Sequence, residues 1–236
     1  MRFCHECGVK VLDDEAKFCI ECGANLFAEK NSPPPKTAPP AKTAPVPKNP
    51  AAVSVAKGQR VDLTKTNPAM KNLLVGLGWR AADGFDIDAA AFLLGANGKV
   101  LEETDFIFYN HPLHNSGAVG HLGDKTSDGD NEQFRVTLDK IPNAVVKISF
   151  TLTIHDAAQR RQSFGQVNDA FIRVADEASG KELLRYELGK NFSTETAIVV
   201  AEIYRHKGEW KFNAVGAGFS GGLAALCKNF GIDVAS

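Results

Sequence analysis

Two CxxC pairs stand close to the N-terminus, Cys4 with Cys7 in CHECG and Cys19 with Cys22 in CIECG. Four thiolates at this spacing can close a tetrahedron around one zinc ion, which dictates how the surrounding chain must curl. Gly8 and Gly23 follow the pairs. A backbone that turns back to aim amide N–H groups at thiolate sulfur favours a residue free to take positive φ. A redox-active CxxC normally occurs once and in a βαβ setting, and paired disulfides imply a secreted chain, whereas no apolar leader follows Met1. Residues 1 to 27 therefore read as a zinc ribbon with Cys4, Cys7, Cys19 and Cys22 as ligands. So short a segment cannot bury a sufficient core, so metal binding and folding should be one event. Its three bases, Arg2, Lys10 and Lys17, face five acids, and a zinc with four thiolates adds roughly two more negative charges. Nucleic-acid binding by counterion release needs the opposite sign. A folding staple or protein-docking knob is expected instead.

Composition then changes abruptly. Residues 28 to 57 hold eight of the eleven prolines, five lysines, a single acid, Glu29, and no aromatic residue. Such a stretch cannot bury enough apolar surface to order itself, and its prolines bias it toward extended polyproline II, so it reads as a disordered, semi-rigid linker. The whole chain carries −1; with −2 in the ribbon and +4 in the linker, residues 58 to 236 are left with −3. That balance steers the domain toward neither nucleic acid nor a membrane surface. No apolar run approaches the roughly 18 residues of a span, and the chain reads as soluble and cytoplasmic.

From residue 58 onward, about nine short apolar stretches recur, from LLVGLGW (73 to 79) to EWKFNAVG (209 to 216), separated by turn signals such as Gly95 to Gly98, Pro142-Asn143 and Lys207-Gly208. Several alternate with period two: Phe134, Val136 and Leu138 share a face, as do Ile148, Phe150, Leu152 and Ile154. The pattern predicts a mostly β domain, an antiparallel β-sandwich over 58 to 236. A helix is expected only at the tail, where Leu223, Leu226, Cys227 and Phe230 fall on one side and make Cys227 a buried structural thiol.

Acidic residues gather at two places. Asp86 and Asp88 stand two apart at a strand start, so their carboxylates share one side while Ile87 takes the other. The loop GHLGDKTSDGDNEQF adds Asp124, Asp128, Asp130, Asn131 and Glu132. Like charges this close resist ionising together unless a cation sits between them, and dense hard oxygen donors suit calcium better than zinc. The alternative is a set of simply solvated acidic turns. An EF-hand does not fit, because its twelfth position falls on Arg135. Asn110 and Asp156, at strand ends, are further candidates.

Residues 58 to 236 resemble the tellurium-resistance TerD family through VGLGW (75 to 79), FDIDAAAFLLGANGKV (85 to 100), DFIFYN (105 to 110), DNEQ (130 to 133), TIHDA (153 to 157), AEIYRHKGEWKFNAVG (201 to 216) and GGLAALCKNFGI (221 to 232). The resemblance implies a calcium-binding β-sandwich associated with tellurite resistance and broader chemical-stress responses in bacteria, and such a metal-binding module with a tethered zinc ribbon is expected to act through protein partners. The resemblance also implies Asp86, Asp88, Asn110, Asp124, Asp130, Glu132 and Asp156 near the calcium sites. Here Lys125 follows Asp124, and the loop ends Asp130-Asn131-Glu132 rather than in a run of three acids, a departure expected to weaken binding.

Enzymatic signals are weaker. GFSGG (218 to 222) matches a nucleophile elbow, but no histidine follows Ser220. Ser220 therefore reads as an N-cap or turn residue. His155 and Asp156, as neighbours on a strand, would point to opposite faces. His111, His114 and His121 could bind a transition metal, yet their irregular spacing reads as solvated loop histidines. The remaining alternative, an enzyme acting on an oxidised metalloid or small molecule, has no nucleophile and base pair behind it.

The ribbon yields a direct test: elemental analysis of the purified, reduced protein should give one zinc per chain, and Cys19→Ser should lose most of it. Full zinc in that variant would remove Cys19 from the ligand set.

Overall fold

The computed structural model describes residues 52 to 65, 67 to 124 and 129 to 232, together with the backbone of two short strands near the N-terminus. The chain divides into two compact units, Met1–Pro45 and Val46–Ser236. In the first, β1 (Arg2–Phe3) pairs antiparallel with β2 (Lys10–Val11), a hairpin that brackets the first CxxC pair in sequence. The four cysteines expected to bind zinc lie outside the described residues.

The second unit opens with two three-residue strands, β3 (Val53–Val55) and β4 (Arg60–Asp62). Then come β5 (Asn72–Arg80), β6 (Ile87–Leu94), the brief β7 (Phe106–Ile107) and β8 (Val119–Asp124). The long strands β9 (Glu132–Thr137) and β10 (Lys147–Ile154) precede one helical turn, α1 (Ala157–Arg160). β11 (Asn168–Asp176), β12 (Glu182–Glu187), β13 (Ala197–His206), β14 (Glu209–Phe219) and the terminal helix α2 (Gly222–Phe230) complete it. They form two six-stranded sheets, ordered β4-β14-β13-β10-β6-β7 and β3-β12-β11-β5-β9-β8.

The alternation seen in sequence decides which face each residue takes. In β10, Ile148, Phe150, Leu152 and Ile154 enter the core between the sheets, while Ser149, Thr151 and Thr153 are buried on the other face. That face is covered because α2 packs across β10, β13 and β14. β6 is likewise buried on both sides: Ile87, Ala89, Ala91 and Leu93 join the central core, whereas Ala90, Phe92 and Leu94 pack with Leu226, Cys227 and Phe230 beneath the helix. A strand buried on both faces reads as nearly continuous apolar sequence, which is how IDAAAFLL appears. Leu223 departs from the expected apolar stripe and stays partly exposed.

All nine expected strands form. β3, β4 and β8 were not foreseen, since three-residue strands carry no periodicity and β8 contains Gly120 and Gly123. The pairing is antiparallel throughout except that β3 runs parallel to β12, Val53 to Val55 lying beside Leu184 to Tyr186. Val55 is buried in the core. The sandwich therefore reaches back to residue 53, into what the sequence assigned to a linker ending at 57.

Phe150 of one sheet meets Phe134 of the other edge-on, ring centroids 5.6 Å apart, and both are fully buried. Phe150→Ala should lower unfolding free energy by about 3–5 kcal/mol, a core phenylalanine truncation, while Leu223→Ala, on the exposed side of α2, should cost less than about 1 kcal/mol; urea unfolding of both variants checks the contrast.

Candidate functional site

At one end of the first sheet, a cleft of about 410 Å³ opens between the loop after β7 and the start of α2. Phe106, Phe108 and Tyr109 form one wall, and Leu223 stands with Gly221 and Gly222 on the other. Asp88, Thr153, His155, Asp156 and Thr196 line it as well. The aromatic wall is anchored from within: Phe230 packs on Phe92, Phe92 stacks on Phe106 at 4.5 Å, Phe106 stacks on Phe108 at 4.5 Å, and Tyr109 lies edge-on to Phe108 at 5.4 Å. On the opposite wall, Thr196 Oγ1 accepts the amides of Gly221 and Gly222 at 3.2 and 2.9 Å. This hydroxyl, from the residue just before β13, caps α2, and Ser220 is an exposed bend residue.

The acidic candidates separate into three environments. Asp88 and Asp156 line the same cleft. Asp86 stands just before β6, and its carbonyl accepts the His155 amide at 2.8 Å, so strand start and turn are neighbours. β10 stops at Ile154 and Asp156 takes a left-handed conformation (φ 51°). The chain therefore turns, and His155 Nε2 comes within 3.3 Å of Asp156 Oδ2. The expectation that these two side chains diverge is corrected by that turn. Both remain exposed, which makes this a solvated contact of small energy. Asn110 sits exposed beside Tyr109 at the tip of a turn closed by reciprocal hydrogen bonds between Phe108 and His111.

Glu132 lies deeper. Its Oε1 accepts the Ala89 amide at 3.0 Å and its Oε2 pairs with His121 Nε2 at 2.5 Å, both side chains being buried. Asp130 is on the outer face of the second sheet, where Arg173 Nε and Nη2 donate to it at 2.7 and 2.6 Å and Gln133 at 2.7 Å. Gly76 makes room for this pair, since a Cβ there would meet the Asp130 carboxylate. Between them, Asn131 accepts the Trp79 amide at 2.8 Å and donates its own amide to Leu77 at 2.8 Å. The DNE run is thus spliced onto β5, and both carboxylates have protein partners. Asp128 and the Asp124 side chain lie outside the described residues. Among the described residues, no three of His, Cys, Asp and Glu come together as metal ligands.

The histidines are not the solvated loop groups their spacing suggested. His114 is buried, with Nε2 3.0 Å from Asp105 Oδ1 and Nδ1 2.8 Å from Ser116 Oγ. His111 Nδ1 is 2.9 Å from the Phe106 carbonyl. Burial acts to raise the Asp105 carboxyl, yet hydrogen bonds from His114 and from the amides of Leu101 and Glu102 hold it below the usual carboxylate range. Burial also pushes the Cys227 thiol up, as expected of an inert structural cysteine.

A family model described as the TerD domain matches residues 51–230. The chain belongs to the TerD family. Its TerD domain is preceded by a match to a zinc-ribbon domain over residues 3–26. Among relatives, the tellurium resistance protein TerD of Serratia marcescens is 53% identical over 189 residues, covering 77% of this chain and 98% of that protein. The chemical-damaging agent resistance protein B of Clostridium acetobutylicum is 58% identical over 138 residues, 57% of this chain and 99% of that protein. A crystal structure of a TerD homologue from Streptomyces coelicolor A3(2) superposes with a TM-score of 0.53 at 19% identity, covering 66% of this chain and 95% of that one, and shares its fold. The TerD match begins at residue 51, in agreement with β3 as the first strand of the sandwich. No helix among the described residues is long and apolar enough to cross a membrane.

The cleft residues that sequence reasoning did not assign to a site, Tyr109, Thr153, Thr196 and Leu223, come from four separate segments. Only the alternation in DFIFYN, which sets Phe106 and Phe108 on one side, gave a local sign of the aromatic wall.

In the TerD domain, Arg173→Ala should destabilise by about 3–5 kcal/mol, because it strands the Asp130 carboxylate without a counter-charge. Arg173→Met combined with Asp130→Asn should cost less than the two single changes together by more than about 0.5 kcal/mol in urea unfolding; strict additivity would show that the pair is not coupled.

Proposed function

We propose that this chain is a binding module of the bacterial chemical-stress and tellurium-resistance response rather than an enzyme, and that its sandwich holds calcium. The observation that carries the reading is the meeting of Asp88 and Asp156 in one cleft, two carboxylates delivered from β6 and from the turn after β10. Hard oxygen donors of this kind suit calcium. The described residues alone do not complete a calcium shell. In this reading Asp86, Asp88, Asn110 and Asp156 are joined by Asp124 and Asp128, while Asp130 and Glu132 serve the sandwich itself through Arg173, Gln133, His121 and the Ala89 amide. The names of the relatives, resistance to tellurium and to chemical-damaging agents, support a stress role. The zinc ribbon acts as a structural unit, protein partners carry the output, and the module works in the cytoplasm.

Calcium binding to the folded state stabilises it by about 2.7 kcal/mol at a hundredfold excess over Kd. For a domain of this size that is a rise of roughly 5–10 °C in Tm. Zinc-loaded full-length protein should show this rise, Asp130→Asn should retain it relative to its own lower baseline, and Asp88→Asn/Asp156→Asn should lose it. No calcium uptake at millimolar ion by calorimetry, or equal uptake in the double variant, would overturn the assignment.

A further inference from the structure

The proline-rich stretch is built from three consecutive hexads, PPPKTA (33 to 38), PPAKTA (39 to 44) and PVPKNP (45 to 50), each with lysine in fourth place. A polyproline II helix has three residues per turn and rises about 3.1 Å per residue, so in that conformation a six-residue period would return Lys36, Lys42 and Lys48 to one side, about 19 Å apart. Such a period presents one repeated chemical unit: proline rings flanking an ammonium group.

The sandwich presents the complement. Proline-rich helices dock on aromatic-lined grooves because their backbone is already extended and little entropy is lost. The cleft has such a wall, with Tyr109 62% exposed and Leu223, opposite, 38% exposed, two of only five large apolar residues exposed among the described residues. Because Tyr109 rests on Phe108, and Phe108 on the Phe106 and Phe92 column, the wall is preset by the core and needs little ordering on binding. Asp88 and Asp156 line the same cleft, with His155 3.3 Å from Asp156. A lysine entering beside Tyr109 would meet both carboxylate charge and an aromatic face.

We propose that this cleft receives the proline and lysine hexads of a second copy of the chain, prolines against Phe108 and Tyr109 and the lysine at Asp88 and Asp156. Each chain offers three related hexads, each with lysine in fourth place, for one cleft, so the surplus links copies and self-association rises with concentration. This inference does not depend on calcium binding, although both engage Asp88 and Asp156.

The test uses a fluorescent synthetic peptide of residues 33 to 50 and, as receiver, zinc-loaded full-length chain carrying Lys36→Ala, Lys42→Ala and Lys48→Ala, so that its own hexads do not compete. In calcium-free buffer the peptide should bind saturably. Affinity should fall about tenfold or more, the effect of losing one charge-assisted contact, when the receiver carries Asp88→Asn/Asp156→Asn or Tyr109→Ala. A peptide with its lysines replaced by alanine should fail on the unaltered cleft, an arm that no misfolding can mimic. In sedimentation velocity, the average mass of wild type should climb with concentration while the triple-lysine variant stays nearer monomer. Equal binding of a scrambled peptide of the same composition, no saturable binding, or a mass independent of the three lysines would each overturn the proposal. Calcium uptake without peptide binding defeats this inference alone; peptide binding without calcium uptake supports it and defeats only the calcium reading.

Discussion

The cleft end of the sandwich depends on a buried carboxylate that crosses from one sheet to the other. Glu132 belongs to β9, yet it accepts the Ala89 amide of β6 while His121 of β8 holds its second oxygen. The bond answers a definite need. β7 pairs with β6 only at Ala91 and Phe92, so beyond those rungs the edge of β6 has no strand neighbour among the described residues, and a buried amide without a partner costs free energy comparable to a lost hydrogen bond. Glu132 fills that gap, and Asp88, the residue before Ala89, is positioned at the cleft by the same stretch of strand. One of the acids that sequence offered as a metal ligand thus acts as a tie between layers.

Much of the sandwich was legible because period-two alternation is a local signal. β5, β6, β10, β13 and β14 could be drawn from their own residues, since each has a face in the central core. What was not legible depended on distant chain. β3 is a strand only because Leu184 to Tyr186 lies beside it, and nothing in VSV states that. His114 and His121 looked solvated because their loop spacing is irregular, yet acids from Asp105 and Glu132 meet them in the interior. His155 and Asp156 were misjudged for a different reason: β10 ends at Ile154, so neither lies on the strand, and the turn that follows brings them together.

The acidic candidates show the same limit from the chemical side. Sequence can count carboxylates but not their neighbours. Alternation set Asp88 on the face away from buried Ile87, and Asp88 does line the cleft, whereas Asp86 stands just before β6 and is not among the cleft residues. Asp130 and Asp128 looked equivalent, two residues apart in one loop, but Asp130 has its counter-charge on β11, far along the chain, in Arg173. A buried ion pair is useful here mainly for what it forbids, since neither member tolerates the loss of the other. Glu182, whose carboxyl is pushed up by burial, stands at the margin of the same group, 3.9 Å from Arg173.

Gly76 occupies the position where any other residue would collide with the Asp130 carboxylate. The bare backbone at 76 and the acid at 130 are therefore two halves of one solution, separated by more than fifty residues of sequence. Across chains built on this sandwich, a side chain at the first position and an aspartate at the second should exclude each other, and drift at either site should be correlated with drift at its counterpart.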